Sequence, residues 1–357
     1  MKVREDYGEI WAEFVNIPIC RFSKRSFYFN GFLTLCPPFT RRSGTQAVTT
    51  IVFTHPVCIE HDPGDYHPER PERLRAVLAA LKGKGFEALA WREAPKAERA
   101  QLERVHDGNY IDQILTSVPK RGHLHLDPDT AMSPASGEAA LRAAGAAAAA
   151  VDAVMAGEAD NAFCAIRPPG HHAEAGQAMG FCLFNNVAVA AFQARAIHGL
   201  KRIAVVDFDV HHGNGTQHSF ERDADLFYGS SHQWPAYPGT GLAEETGIAD
   251  NVANLPLPPG AGSAEFREGY RATILPALKR FAPEFLVISA GFDAHARDPL
   301  AQLRLGADDY AWVTRELLAV AKACAKGRAI SCLEGGYDLE ALAESASAHV
   351  REMMKAA

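Results

Sequence analysis

The chain has 357 residues, 47% hydrophobic and 22% charged, with a formal net charge of -7 at pH 7. That length holds one large or two ordinary domains, and the balance is that of a globular protein. An acidic total argues against a chain that coats nucleic acid, and no run of about 18 apolar residues offers a membrane span. The seven cysteines, at 20, 36, 58, 164, 182, 324 and 332, are scattered and form no C-x-x-C pair. They fit free thiols in a reducing, cytoplasmic compartment better than a disulfide framework or a zinc knuckle.

Residues 1–47 mix basic and aromatic side chains without a period, as in "RFSKRSFYFNGFLTLCPPFTRRSG". They read as a poorly ordered extension, dispensable for folding and chemistry, ahead of a single domain over 48–357. Regular texture begins with "IVFTHPVC", a first strand. "HPERPERLRAVLAALKGKG" follows as a helix, with Pro71 in its first turn, an apolar stripe of Leu74, Val77, Leu78 and Leu81, and Gly83 as its stop. "SGEAALRAAGAAAAAVDAVMAGEA" is an Ala-rich helix that lies deep or close to a neighbour. Four short apolar runs come next, "NAFCAI", "KRIAVVDFDV", "EFLVISAGFD" and "RAISCLEGGY", each near a helical segment. Such runs suit buried parallel strands in an α/β sheet with helices on both faces.

Titratable groups follow each of the four runs. Arg167, His171 and His172 follow the first; Asp207, Asp209 and His211 the second; Asp293 the third; Glu334 and Tyr337 the fourth. Sites in open parallel sheets form outside the carboxyl ends of the strands, so four strands deliver these groups to one edge. Asp209-x-His211 reads as a metal pair whose side chains share one side of an extended chain, with Asp293 as a third, acidic ligand from another strand. Two carboxylates and one imidazole leave an open position, as a catalytic zinc does. Read alone, Asp209 and His211 would be a helix cap and a buried, hydrogen-bonded histidine; the company they keep reverses that. Adjacent His171 and His172 suit a base and an acid, with Asp207 placed to orient the first and Asn214 the second without charge. Gly335-Gly336 presents Tyr337 as a donor to a developing oxyanion, where alone it would be a packed tyrosine after a turn.

With "RPPGHHA", "GFCLFNNVAVAA", "VVDFDVHHGNGTQ", "YPGTG", "SAGFDAHARDPL" and "LEGGYD" in order, the sequence from about residue 50 onward resembles the histone deacetylase and acetylpolyamine amidohydrolase family, class II type. The resemblance implies the arginase-deacetylase fold: one three-layer α/β/α domain with an eight-stranded parallel sheet and a zinc at the base of a narrow tunnel. It implies Asp209, His211 and Asp293 as zinc ligands, His171 and His172 beside the bound water, Asp207 paired with His171, and Tyr337 polarising the scissile carbonyl. Gly180, Phe181 and Tyr237 would wall the tunnel, and Arg73 would stand near an internal product cavity. A structural potassium ion would sit at Asp207, Asp209, His211 and Ser230, with the Phe220 carbonyl part of a second site. Asn214 stands where some members carry a second carboxylate, and Tyr237 where many have Phe. Leu300, seven residues after Asp293, stands where polyamine-preferring members can carry Glu.

The expected activity is therefore zinc-dependent hydrolysis of N-acetyl-lysine amides, in protein or peptide, to amine and acetate. The same motifs leave open an acetylpolyamine or other small-amide hydrolase, and an acyl-lysine binding module with little turnover. An arginase-like dimanganese hydrolase would need more carboxylates than are present. The expected partners are acetylated protein, peptide or small amine, with neither nucleic acid nor membrane. The physiological substrate, the oligomeric state, the choice of zinc or ferrous iron, and which histidine is the base stay open.

Overall fold

The computed structural model describes residues 49–356; the expectation for residues 1–47 lies outside them. The described residues form ten strands: β1 Thr50–Thr54, β2 Ala90–Glu93, β3 Leu124–His125, β4 Ala131–Met132, β5 Asn161–Cys164, β6 Ile203–Asp207, β7 Leu226–Gln233, β8 Val252–Leu257, β9 Phe285–Ala290 and β10 Ala329–Leu333. Eight form one parallel sheet in the order β2-β1-β5-β10-β9-β6-β7-β8, and β3 and β4 form a separate antiparallel pair. Side chains alternate between two apolar layers. Along β6, Ala204 and Val206 enter one cluster and Ile203 and Val205 the other. Each fully buried aliphatic side chain contributes roughly 1.5–3 kcal/mol, which is why the central strands read as unbroken apolar runs.

The four strands expected from the sequence are β5, β6, β9 and β10, and they are consecutive in the sheet. The first strand is shorter than expected. β1 stops at Thr54, and Val57–Glu60 form one helical turn after Pro56, whose missing N–H cannot continue a ladder. Three strands of the large sheet, and the short β3–β4 pair, have no counterpart in the sequence pattern. β2 is mostly exposed at an edge, β7 is fully buried but carries Ser, His and Gln, and β8 is the other edge and contains Pro256.

The helix Pro71–Leu81 has Pro at its first turn and buries Leu74, Val77 and Leu81. The Ala-rich helix Ser136–Met155 packs against Asn186–Ala196 and, at Gly145, against the segment around Lys96. A β-carbon on Gly145 would lie 2.1 Å from the Pro95 carbonyl oxygen. Gly145→Ala should therefore lower the thermal unfolding midpoint. Overpacking against backbone costs about 1–3 kcal/mol, which outweighs the roughly 1 kcal/mol gained in helix propensity. A midpoint equal to or above that of the parent chain would contradict this packing.

Candidate active site

The chain runs from β6 to β7 on one side of the sheet and from β9 to β10 on the other. The crevice between β6 and β9 is thus the point where the strand order reverses, the ordinary place for a site in such sheets. Asp209 follows β6 and Asp293 follows β9, so they face each other across it.

Asp209, His211 and Asp293 each offer a ligand atom, and these atoms lie within 4.8 Å of one another. β6 ends at Asp207, so Asp209 and His211 are not on an extended strand as expected. They meet in the turn beyond it, where Asp209 Oδ1 accepts from the His211 backbone N–H at 2.9 Å. His211 Nδ1 is 3.2 Å from Asp209 Oδ1 and 3.3 Å from Asp293 Oδ2. The other carboxylate oxygens are held by backbone: Gly335 N–H donates to Asp209 Oδ2 at 2.8 Å and Val210 N–H to Asp293 Oδ1 at 2.8 Å. Asp293 Oδ2 is buried and accepts no hydrogen bond. A β-carbon on Gly335 would sit 2.1 Å from Asp293 Oδ2 and 2.5 Å from Asp209 Oδ2, so glycine keeps the gap between the carboxylates open. Burial and the Asp209 charge push the Asp293 carboxyl up to about 7. Two buried carboxylates this close need a proton or a cation between them. The donor set, one imidazole nitrogen and two carboxylate oxygens, fits zinc or ferrous iron.

The tandem histidines stand beside this cluster with different partners. His171 Nδ1–H donates to Asp207 Oδ2 at 2.9 Å, and His172 Nδ1 is 2.8 Å from Asn214 Oδ1. Burial opposes charge on His171, but the Asp209 and Asp207 carboxylates outweigh it and push its pKa up to about 10. Burial, with the charges of His171 and His211, holds His172 well below the ordinary imidazole range. One ring keeps a proton and its neighbour stays neutral. His212 faces elsewhere, bonded to Thr240 and Gln217.

Gly180, Phe181, Tyr237 and Leu300 line one cavity of about 220 Å³ together with Asp129, His172, His211 and Tyr337. Gly180 has φ +55°, and a β-carbon there would strike His172 at 2.4 Å. Tyr237 and Leu300 are 39% exposed and form the mouth, while Tyr337 is buried. Burial raises the Tyr337 phenol well above its usual range, against the nearby Arg73, so it remains a donor. Arg73 lies under that ring, 4.8 Å from its centroid, and donates to the Gly336 and Glu334 carbonyls and to Glu69. Ser230 is paired in register with Asp207, and its hydroxyl contacts His232 Nδ1 at 2.9 Å. The Phe220 carbonyl accepts from Asp223 N–H and Asn251 Nδ2.

Three supports were not legible as such. Glu334 Oε2 accepts from the Gly170 and His171 N–H groups and so fixes the histidine loop. Glu69 is fully buried between Arg73 and Arg167. Asp298 accepts from Leu300 N–H at 3.0 Å and from Tyr337 N–H at 2.7 Å, tying the mouth to the tyrosine loop. The Asp-Pro pair signals the first of those two bonds, a turn closed by an Asp side chain; the second spans 39 residues and leaves no sequence trace.

Residues 67–353 match the family model described as the histone deacetylase domain. The chain belongs to the histone deacetylase family. A histone deacetylase-like amidohydrolase of Pseudomonas aeruginosa is 43% identical over 277 residues, covering 76% of this chain and 72% of that protein. Human polyamine deacetylase HDAC10 is 38% identical over 302 residues, covering 80% of this chain and 44% of that one. The crystal structure of the HDA15 HD domain superposes with a TM-score of 0.81 at 35% identity, over 87% of this chain and 89% of that one. The fold is thus the arginase-deacetylase fold expected from the motifs. No helix among the described residues is long and apolar enough to cross a membrane.

Asp293→Ala should abolish uptake of one equivalent of zinc while leaving the fold intact by circular dichroism. Full zinc occupancy of that variant, by elemental analysis, would remove Asp293 from the ligand set.

Proposed function

We propose that the protein is a metal-dependent deacetylase that hydrolyses N-acetyl-lysine amides in proteins or peptides. The observation that carries this reading is the single cavity that brings His172, His211 and Tyr337 together above the Asp209–His211–Asp293 cluster. A divalent cation held by those three residues would supply Lewis-acid activation of the amide carbonyl and of water. His172 is neutral and takes the proton from the attacking water. His171 is cationic: its Nδ1 proton stays in the hydrogen bond to Asp207, and the proton on its other nitrogen, Nε2, goes to the leaving amine. Tyr337 donates to the oxygen that gains charge, from a rigid loop tied by Asp298. Phe181 and Tyr237 grip the acyl-lysine stem. A structural potassium ion beside Asp207 and Ser230, and a product path past Arg73, belong to the same proposal.

A second reading is an acetylpolyamine hydrolase, favoured by the half-buried Asp129 on the cavity wall and by the similarity to a relative named a polyamine deacetylase. Leu300 at the mouth weighs the other way, because it presents apolar surface where a carboxylate would attract distal ammonium groups. Two variants measured on an acetyl-lysine peptide and on acetylspermidine test the proposal. Tyr337→Phe should keep its metal and lose about 10²–10³ in kcat, the usual cost of an oxyanion donor. Leu300→Glu should shift the kcat/KM ratio towards the polyamine. Wild-type kcat in Tyr337→Phe would make Tyr337 a packing residue. A parent chain that already prefers acetylspermidine would put the polyamine reading first.

A further inference from the structure

Asn214 contributes no charge to His172, yet its amide is tightly constrained. Its Nδ2 faces three acceptors: Glu174 Oε1 at 2.5 Å, the His172 carbonyl oxygen at 3.3 Å and Met179 Sδ at 3.4 Å. A carbonyl, a thioether and an ionised carboxylate have no proton to give. The amide nitrogen must therefore face them, and Oδ1 must face His172 Nδ1. An amide oxygen can only accept, so His172 carries its proton on Nδ1. Its Nε2 is left with a free lone pair. A flipped amide would set Oδ1 against the Glu174 carboxylate and offer N–H to Nδ1, which would move the ring proton to Nε2 and disable the ring as a base.

Glu174 is the strongest of the three acceptors because it alone is charged. It is itself fixed from outside: His218 Nδ1 lies 2.9 and 3.0 Å from its two oxygens. The His218 side chain is 50% exposed. A chain of contacts thus runs from the cavity to the surface, His172 to Asn214 to Glu174 to His218. The geometry points to Glu174 as a positioning residue that locks the Asn214 amide and, through it, the base tautomer of His172. The carboxylate missing from position 214 is supplied one residue further out, where it acts on orientation instead of charge. This inference rests on the reading of His172 as the base.

The test is a pair of substitutions and their combination. Glu174→Gln can turn either end of its amide inward, so the lock loosens. We expect kcat on an acetyl-lysine peptide to fall about tenfold with KM little changed, part of the roughly 10²–10⁴ that a positioned base contributes. Asn214→Asp sets two carboxylates face to face and should lose more. In the double variant the amide introduced at position 174 can donate to the carboxylate introduced at position 214. Glu174→Gln should therefore raise kcat in the Asn214→Asp background while it lowers kcat in the parent. A merely structural glutamate would give losses of the same sign in both backgrounds, and that result would overturn the proposal. Nitrogen-15 NMR of the histidine rings gives a readout independent of turnover. His172 should be protonated at Nδ1 in the parent, with an Nε2-protonated population appearing in Glu174→Gln. An unchanged tautomer in that variant would also overturn it, even if the parent chain proved inactive and the deacetylase reading had failed on its own.

Discussion

Two buried carboxylates, Asp209 and Asp293, face each other across the crevice between β6 and β9, and much of the surrounding structure serves that contact. Neither can be removed from water uncompensated. Backbone N–H groups from Gly335 and Val210 meet one oxygen of each, His211 Nδ1 stands between the others, and Asp293 Oδ2 is left open. Glycine at 335 leaves the space unfilled. The cluster thus offers the donors that a cation would need, and its negative charge in turn favours the proton on His171.

The shell around it is fixed by groups that act at a distance. Glu334 holds the backbone of the histidine loop, Asp298 holds the backbone of Tyr337, and Glu69 joins the two arginines beneath them. Glu334 and Asp298 are buried and satisfied by backbone N–H groups, whereas Glu69 is ion-paired with both arginines. Losing one partner of such a buried ion pair typically costs about 3–5 kcal/mol. The cavity walls consequently sit on rigid supports, and Tyr237 and Leu300 at the mouth are the exposed apolar part of the lining.

Much of this was legible in the sequence, for a physical reason. Buried parallel strands must be apolar throughout, so β5, β6, β9 and β10 stood out, and the polar residues just beyond them marked the site edge. β7 did not stand out because it is buried while carrying Ser230, His232 and Gln233, which bond within the protein. The Asp209–His211 pairing was anticipated, but through strand alternation, whereas a turn beyond β6 makes it. Glu174 and Asp298 act through contacts 40 and 39 residues away in the chain, which no local pattern encodes.

The central claim is that one metal ion at Asp209, His211 and Asp293 makes the neighbouring histidines an amide hydrolase. The most direct test is to strip the protein with a chelator, verify by elemental analysis that it is metal-free, and titrate zinc back while following acetate release from an acetyl-lysine peptide. The account predicts no turnover in the stripped protein and a rise that saturates at one equivalent per chain. Undiminished turnover without metal, or saturation only at two equivalents, would contradict it.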